Sequence, residues 1–207
     1  MYLDQPLQVY LDDLASSKAT PGGGSAAALT GALGAALVCM VARLTLGKDG
    51  YAEVQQEVEE LLQRTEGLRV RFHQLMQEDI EAYGRLSDCF KMPRETDEQR
   101  AVRSAAIQAR LLDAALVPLD MVERSAELLR YCQRIAEIGN ATVLGDVAAG
   151  SMLASSAGAG AAWMVRANLR AMKDLEQVNV LGDRLSAALD VITEGSRRVT
   201  SIVGERA

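Results

Sequence analysis

Apolar residues recur at spacings of three and four through most of the chain, the period of a helix face rather than the alternation of a strand. The clearest run is Val54, Val58, Leu61, Thr65, Leu68, Phe72, Leu75, Asp79, Tyr83 and Leu86, which predicts one long amphipathic helix. Met92-Pro93-Arg94 ends it. Thr96 with Gln99 has the form of a capping box and opens a second long helix, expected to kink at Pro118 and to run to about Gly139. Two further segments, Ala26 to Ala42 and the stretch after Asp146, consist largely of Ala, Gly and Ser. Small residues let backbones approach closely, so both helices should lie at the centre. A short helix carrying Leu7, Tyr10, Leu11 and Leu14, with Asp4 as its cap and Pro6 in its opening turn, comes first; an amphipathic helix over 178–203 comes last. The pattern predicts an all-α single domain over residues 1–207, a bundle of about six helices with two small-residue helices inside and two long ones beside them.

Composition narrows the partners. With 22 basic residues against 28 acidic ones, the chain carries a formal charge of −6 and has no concentrated basic run, so nucleic acid is not an expected ligand. Cys39, Cys89 and Cys132 are odd in number, far apart and without CxxC spacing; reduced thiols are expected, and no zinc site. The start Met1-Tyr2-Leu3-Asp4 has no basic region followed by an apolar run, which points to the cytoplasm. The apolar stretches 26–41 and 147–165 are at or below the roughly 18 to 20 residues that span a bilayer, and are Ala-rich rather than Leu-rich; buried helices are expected, not membrane spans.

Two features carry candidate chemistry. Thr20-Pro21-Gly22-Gly23-Gly24-Ser25 opens directly into the first small-residue helix. Three glycines leave backbone N–H groups uncovered and able to adopt left-handed or nest geometry, and Ser25 is placed to cap the helix, a combination suited to an anion or ligand cradle. It matches neither GxxxxGK[ST] nor GxGxxG, and a plain glycine-rich helix start is the competing reading. Asp79 is the second feature, because it occupies a seam position otherwise filled by apolar residues. A carboxylate there needs a cleft, a partner or a raised pKa, and a raised pKa suits proton transfer near neutrality. The competing reading pairs it with a surface arginine. Lys48 follows the far end of the first small-residue helix, where it either complements the helix dipole or meets a ligand. Asn140 and Asp146 flank the start of the second and serve as caps or as ligand contacts. Asn168 stands inside a helical pattern, where an amide needs a side-chain role. His73, the only histidine, has no Ser or Cys motif beside it.

The residues Ala19-Thr20-Pro21-Gly22-Gly23-Gly24-Ser25-Ala26-Ala27-Ala28, then Gly31 to Leu37 and Leu44-Thr45-Leu46-Gly47-Lys48, resemble the opening of the formiminotetrahydrofolate cyclodeaminase and methenyltetrahydrofolate cyclohydrolase family. The likeness continues through Asp79-Ile80-Glu81-Ala82-Tyr83, Lys91-Met92-Pro93, Ala114 to Pro118, Gly139-Asn140, Gly145-Asp146, Asn168-Leu169 and Lys173-Asp174, and so covers nearly the whole chain. It implies an all-α, folate-handling enzyme that works as a homodimer or higher assembly, here as a free-standing domain. A tetrahydrofolate derivative would be the substrate, with no separate cofactor. In the cyclodeaminase reaction ammonia leaves as the ring closes; in the cyclohydrolase reaction water adds to the methenyl carbon. Under this resemblance Asp79 is the proton carrier, Gly22, Gly23, Gly24 and Ser25 position the pterin, and Lys48, Asn140, Asp146 and Asn168 bind substrate, Lys48 meeting the glutamate carboxylate across a subunit boundary. The chain departs at Gly145, where the family commonly has Ser, and at Met164, where it often has Asn; both bear on substrate choice.

Overall fold

The computed structural model describes residues 2–206 and forms α1 (Leu7–Leu14), α2 (Gly23–Arg43), α3 (Gln55–Phe90), α4 (Asp97–Ile138), α5 (Leu144–Ala171) and α6 (Leu175–Arg206), with no strand among the described residues. The two small-residue helices, α2 and α5, run antiparallel at the centre: Gly23 faces Met164, Gly34 faces Gly150, and Thr45 bonds the backbone of Asn140 just before α5 begins. At their crossing a Cβ on Gly34 would stand 2.9 Å from the Gly150 carbonyl oxygen, so glycine there sets how near the two backbones come. Gly31 does the same for α3, since a Cβ would fall 2.5 Å from the Phe72 ring. The long helices α3 and α4 pack against this pair and each other, and α6 closes the bundle over α4 and α5. By length and composition α2 passes for a membrane span, but 61% of its most apolar window is buried inside the bundle, which accounts for that composition.

Helix ends follow the sequence closely at some places and not at others. Thr96 Oγ1 accepts from the Gln99 N–H at 3.1 Å and Gln99 Oε1 accepts from the Thr96 N–H at 3.2 Å, the expected capping box. The helix it opens continues through Pro118, with Pro118 buried inside it. Two expected caps are replaced. Pro6, not Asp4, holds the N-cap position of α1, because its fixed extended conformation (φ −55°, ψ 139°) ends the preceding turn. Gly22, not Ser25, caps α2; Ser25 is already in the first helical turn, and its hydroxyl reaches back to Gly22.

Candidate active site

At the N-terminal end of α2 the apolar seam of α3 opens. Phe72, Leu75, Ala82 and Leu86 are buried, but Asp79 and Tyr83, one turn apart, face a cleft of about 300 Å³. Gly22, Gly23 and Gly24 form one wall of the cleft, Met164, Ala167 and Asn168 of α5 another, and Ala19, Thr20, Ala82 and Ala114 complete it. Glu78, the neighbour of Asp79, turns outward and takes Arg71 at 2.6 Å. No basic side chain pairs with Asp79 among the described residues, which removes the surface-arginine reading.

Glycine at position 24 makes this arrangement possible. A Cβ there would stand 2.0 Å from Asp79 Oδ1, so the carboxylate lies directly against the backbone of the first turn of α2. Burial away from water raises its pKa from 3.8 to about 6, and outweighs the opposing pull of the Ser25 backbone N–H that faces it. The result is a carboxylate that is mostly ionised at neutral pH and readily protonated. Of the three glycines only Gly24 is needed for room, since a Cβ on Gly22 would meet nothing within 4 Å and one on Gly23 would meet Met164 at an ordinary 3.4 Å, and none is needed for an unusual dihedral: Gly22 is extended (φ −137°), and the only glycines with positive φ among the described residues are Gly47 and Gly50, in the turn after α2. The Gly22 N–H is taken by Ser25 Oγ, and the Asp79 carboxylate lies against the first turn of α2, where a helix N-terminus favours negative charge.

The Ser25 side chain is fully buried beneath this wall. Its hydroxyl donates to the Gly22 carbonyl at 2.9 Å and accepts from the Gly22 N–H at 3.2 Å. With its one proton spent, it accepts from the Tyr10 hydroxyl at 3.1 Å, which leaves Tyr10 as the donor. Ser25 therefore meets a ligand only through the loop it braces, and α1 is held under that loop by Tyr10.

Of the remaining sequence candidates, Asn168 is in the cleft, while Lys48, Asn140 and Asp146 gather at the opposite end of the α2–α5 pair. Lys48 is exposed and donates to Asn140 Oδ1 at 3.0 Å. Asn140 is buried and fully engaged: its amide nitrogen donates to the Leu44 carbonyl at 3.0 Å, and Oδ1 also accepts from the N–H and hydroxyl of Thr142. It ties the end of α2 to the start of α5. Asp146 lies in the first turn of α5, favourably near a helix N-terminus. His73 is half-buried on α3 outside the cleft lining, with burial lowering its pKa. Sequence reasoning left Tyr83 and Tyr10 without roles. Tyr83 was detectable as the residue four beyond Asp79 on the same face; nothing in the sequence links Tyr10 to Ser25.

The cleft has one ionisable acid and no basic lining residue, together with apolar surface from Met164 and the alanines. That set can hold a flat, polar ring system and complement positive charge on it. A family model described as formiminotransferase-cyclodeaminase matches residues 6–187. Among similar proteins, the methenyltetrahydrofolate cyclohydrolase of Methylorubrum extorquens is 38% identical over 171 residues, 83% of this chain and 82% of that protein. The formimidoyltransferase-cyclodeaminase of Rattus norvegicus is 31% identical over 172 residues; the match covers 83% of this chain and 32% of the rat protein, so the chain spans about a third of such relatives. The crystal structure of formiminotetrahydrofolate cyclodeaminase from Thermotoga maritima superposes with a TM-score of 0.91 at 25% identity, covering 99% of this chain and 98% of that one.

Proposed function

The chain belongs to the formiminotransferase-cyclodeaminase family and is an enzyme of folate one-carbon chemistry, and we propose that it converts 5-formiminotetrahydrofolate to 5,10-methenyltetrahydrofolate and ammonia with Asp79 as the proton carrier. The observation that carries this reading is the unpaired Asp79 carboxylate, raised to about 6 and lying against Gly24 in a cleft with no lining cation. N10 attacks the carbon of the protonated formimino group, forming the C–N10 bond and a tetrahedral carbon bonded to N5, N10 and NH2. Asp79 takes the N10 proton and returns it to the NH2 group. The C–NH2 bond then breaks, ammonia departs, and the methenyl cation remains. Asp79 thus ends the cycle ionised beside a cationic product, and the step needs no group besides the folate.

A second reading, methenyltetrahydrofolate cyclohydrolase, is favoured by the 38% identity to the Methylorubrum protein over most of its length. There Asp79 takes a proton from the water that adds to the methenyl carbon and gives it to N5 as the C–N5 bond breaks, while the remaining hydroxyl proton leaves to solvent and the carbon becomes the formyl group of 10-formyltetrahydrofolate. Supplying formimino- and methenyltetrahydrofolate separately and following the methenyl absorbance decides between them. A rise with the first substrate supports the cyclodeaminase; a fall with the second, faster than the spontaneous rate, supports the cyclohydrolase; neither change rejects both.

A cleft of about 300 Å³ is at the small end of ligand pockets and suits a pteridine head more than a whole folate. α2 has 21 residues and is roughly 30 Å long at 1.5 Å per residue, so Lys48 cannot reach a ligand in the cleft of its own chain. We place the folate tail against Lys48 of a second copy, with Asn140 holding the lysine and Asp146 on the adjoining helix start. Between them, α2 and α5 have no charged residue from Gly23 to Ala42 or from Val147 to Val165. Their outer faces show Leu33, Met152 and Trp163 at 52%, 55% and 60% exposure, an apolar surface of the kind that a second copy covers. The free thiols Cys39, Cys89 and Cys132 suit a single domain working in the cytoplasm.

A further inference from the structure

Pro118 lies inside α4 and has no N–H, so the Ala114 carbonyl, four residues earlier, loses the helix donor it would otherwise receive. Ala114 lines the cleft. The vacant place is filled from another helix: Asn168 Nδ2 of α5 donates to the Ala114 carbonyl at 2.8 Å. The same nitrogen donates to the Met164 carbonyl at 3.0 Å. Two carbonyl acceptors on one side fix which end of the amide faces them, and both amide protons are spent. Asn168 Oδ1 then accepts no hydrogen bond among the described residues, is not buried without a partner, and belongs to a residue of the cleft wall.

We propose that Asn168 is an acceptor-only contact that takes an N–H of the bound pteridine, and that Pro118 is a positioning residue whose missing N–H holds the amide in that orientation. A free asparagine can present either end to a ligand. Here the donor end is engaged, so the site selects a ring edge that donates, and the 2-amino group, N3–H and N8–H of a tetrahydropterin are such donors. A ligand with only acceptors along that edge would set two oxygens facing each other. The inference rests on the folate reading of the cleft and adds to it which kind of ring edge meets α5.

The test is calorimetric titration of the whole chain with tetrahydrofolate, alongside turnover of the two folate substrates, for Asn168→Ala, Pro118→Ala and the double variant. Asn168→Ala should weaken tetrahydrofolate binding roughly tenfold, the loss of one directed hydrogen bond. It should raise KM in step while the acid limb set by Asp79 stays where it is. In Pro118→Ala the new N–H competes for the Ala114 carbonyl and loosens the amide, so binding should weaken roughly threefold, with no fall in melting temperature because a helix-interior proline is gone. That second loss should vanish in the Asn168→Ala background, which a merely structural proline would not do. Unchanged binding in Asn168→Ala, or additive losses in the double variant, would overturn the proposal even with wild-type binding intact. A wild-type chain that binds no tetrahydrofolate overturns the folate reading and this inference together.

Discussion

At Asp79, one half-buried carboxylate sets both reactivity and a stability cost. Its folded pKa of about 6 lies above the ordinary 3.8, so the folded state binds the proton more tightly than the unfolded chain does. The stability linked to that proton is fully present below pH 3.8, declines as pH rises, and is lost above about 6. By linkage the difference is at most about 3 kcal/mol, and nearer 1–2 because one side of the group is wet. Asp79→Asn should therefore abolish turnover while raising the denaturation midpoint at pH 8, and the pH dependence of stability between 4 and 6 should flatten. For the wild-type enzyme, kcat/KM should rise through about pH 6 and then level off, as a general base requires. Near-parental turnover in Asp79→Asn would remove Asp79 from the mechanism. The neighbouring glycines separate space for the carboxylate from space for ligand. In Gly24→Ala the new Cβ displaces the carboxylate, and activity should fall about 100-fold with the fold retained. In Gly23→Ala the Cβ meets Met164 at an ordinary 3.4 Å, so folate affinity should change more than melting temperature.

At the scale of the element, α2 depends on two devices, one at its start and one at its middle. Its start is braced by the Ser25 hydroxyl, which holds both Gly22 groups and the Tyr10 hydroxyl inside the protein. Ser25→Ala leaves the Tyr10 hydroxyl and the Gly22 N–H without their acceptor, which should cost about 1–3 kcal/mol in denaturant unfolding. Tyr10→Phe removes a donor and leaves Ser25 its two bonds to Gly22, so it should cost less. If the two variants are equally mild, the loop is not held from below. At the middle, Gly34→Ala puts a Cβ 2.9 Å from the Gly150 carbonyl oxygen, backbone that has no rotamer to change. The helices must part, at about 1–3 kcal/mol. Gly67→Ala on α3, where nothing lies within 4 Å of the new Cβ, serves as its control and should be neutral or stabilising.

Across the whole molecule, charge is unevenly distributed. The outer sides of α3, α4 and α6 carry ion pairs such as Arg134–Glu57, Arg184–Glu123 and Arg197–Glu194, whereas α2 from Gly23 to Ala42 and α5 from Val147 to Val165 have no charged residue and expose a face with Leu33, Met152 and Trp163. A Met152→Lys substitution adds a charge at the middle of that face, 55% exposed in the single chain, so the monomer should fold with its helical circular dichroism unchanged. Light scattering should report a dimer or higher assembly for the parent and a smaller species for the variant, with folate turnover reduced along with it. A parent chain that scatters as a monomer at micromolar concentration would remove the second copy from the proposed site.

The sequence alone determined the helices, because period and breakers are local: the seam from Val54 to Leu86, the box at Thr96 and Gln99, and the two Ala- and Gly-rich segments each lie within one stretch of chain. It also singled out Asp79, since a charged residue in an apolar seam is an inconsistency visible without coordinates. It did not say what Asp79 faces. That Gly24 yields its side-chain space to the carboxylate, that Tyr10 supports Ser25, and that Asn168 answers the carbonyl left by Pro118 are contacts between elements remote in sequence, and the period of a helix is silent about its neighbours. The glycine triplet shows the division most clearly. Its composition announced a special backbone site, but left-handed geometry and close packing both call for glycine. Only the approach of α3 decided that here the missing Cβ, and not the dihedral angle, is what the site uses.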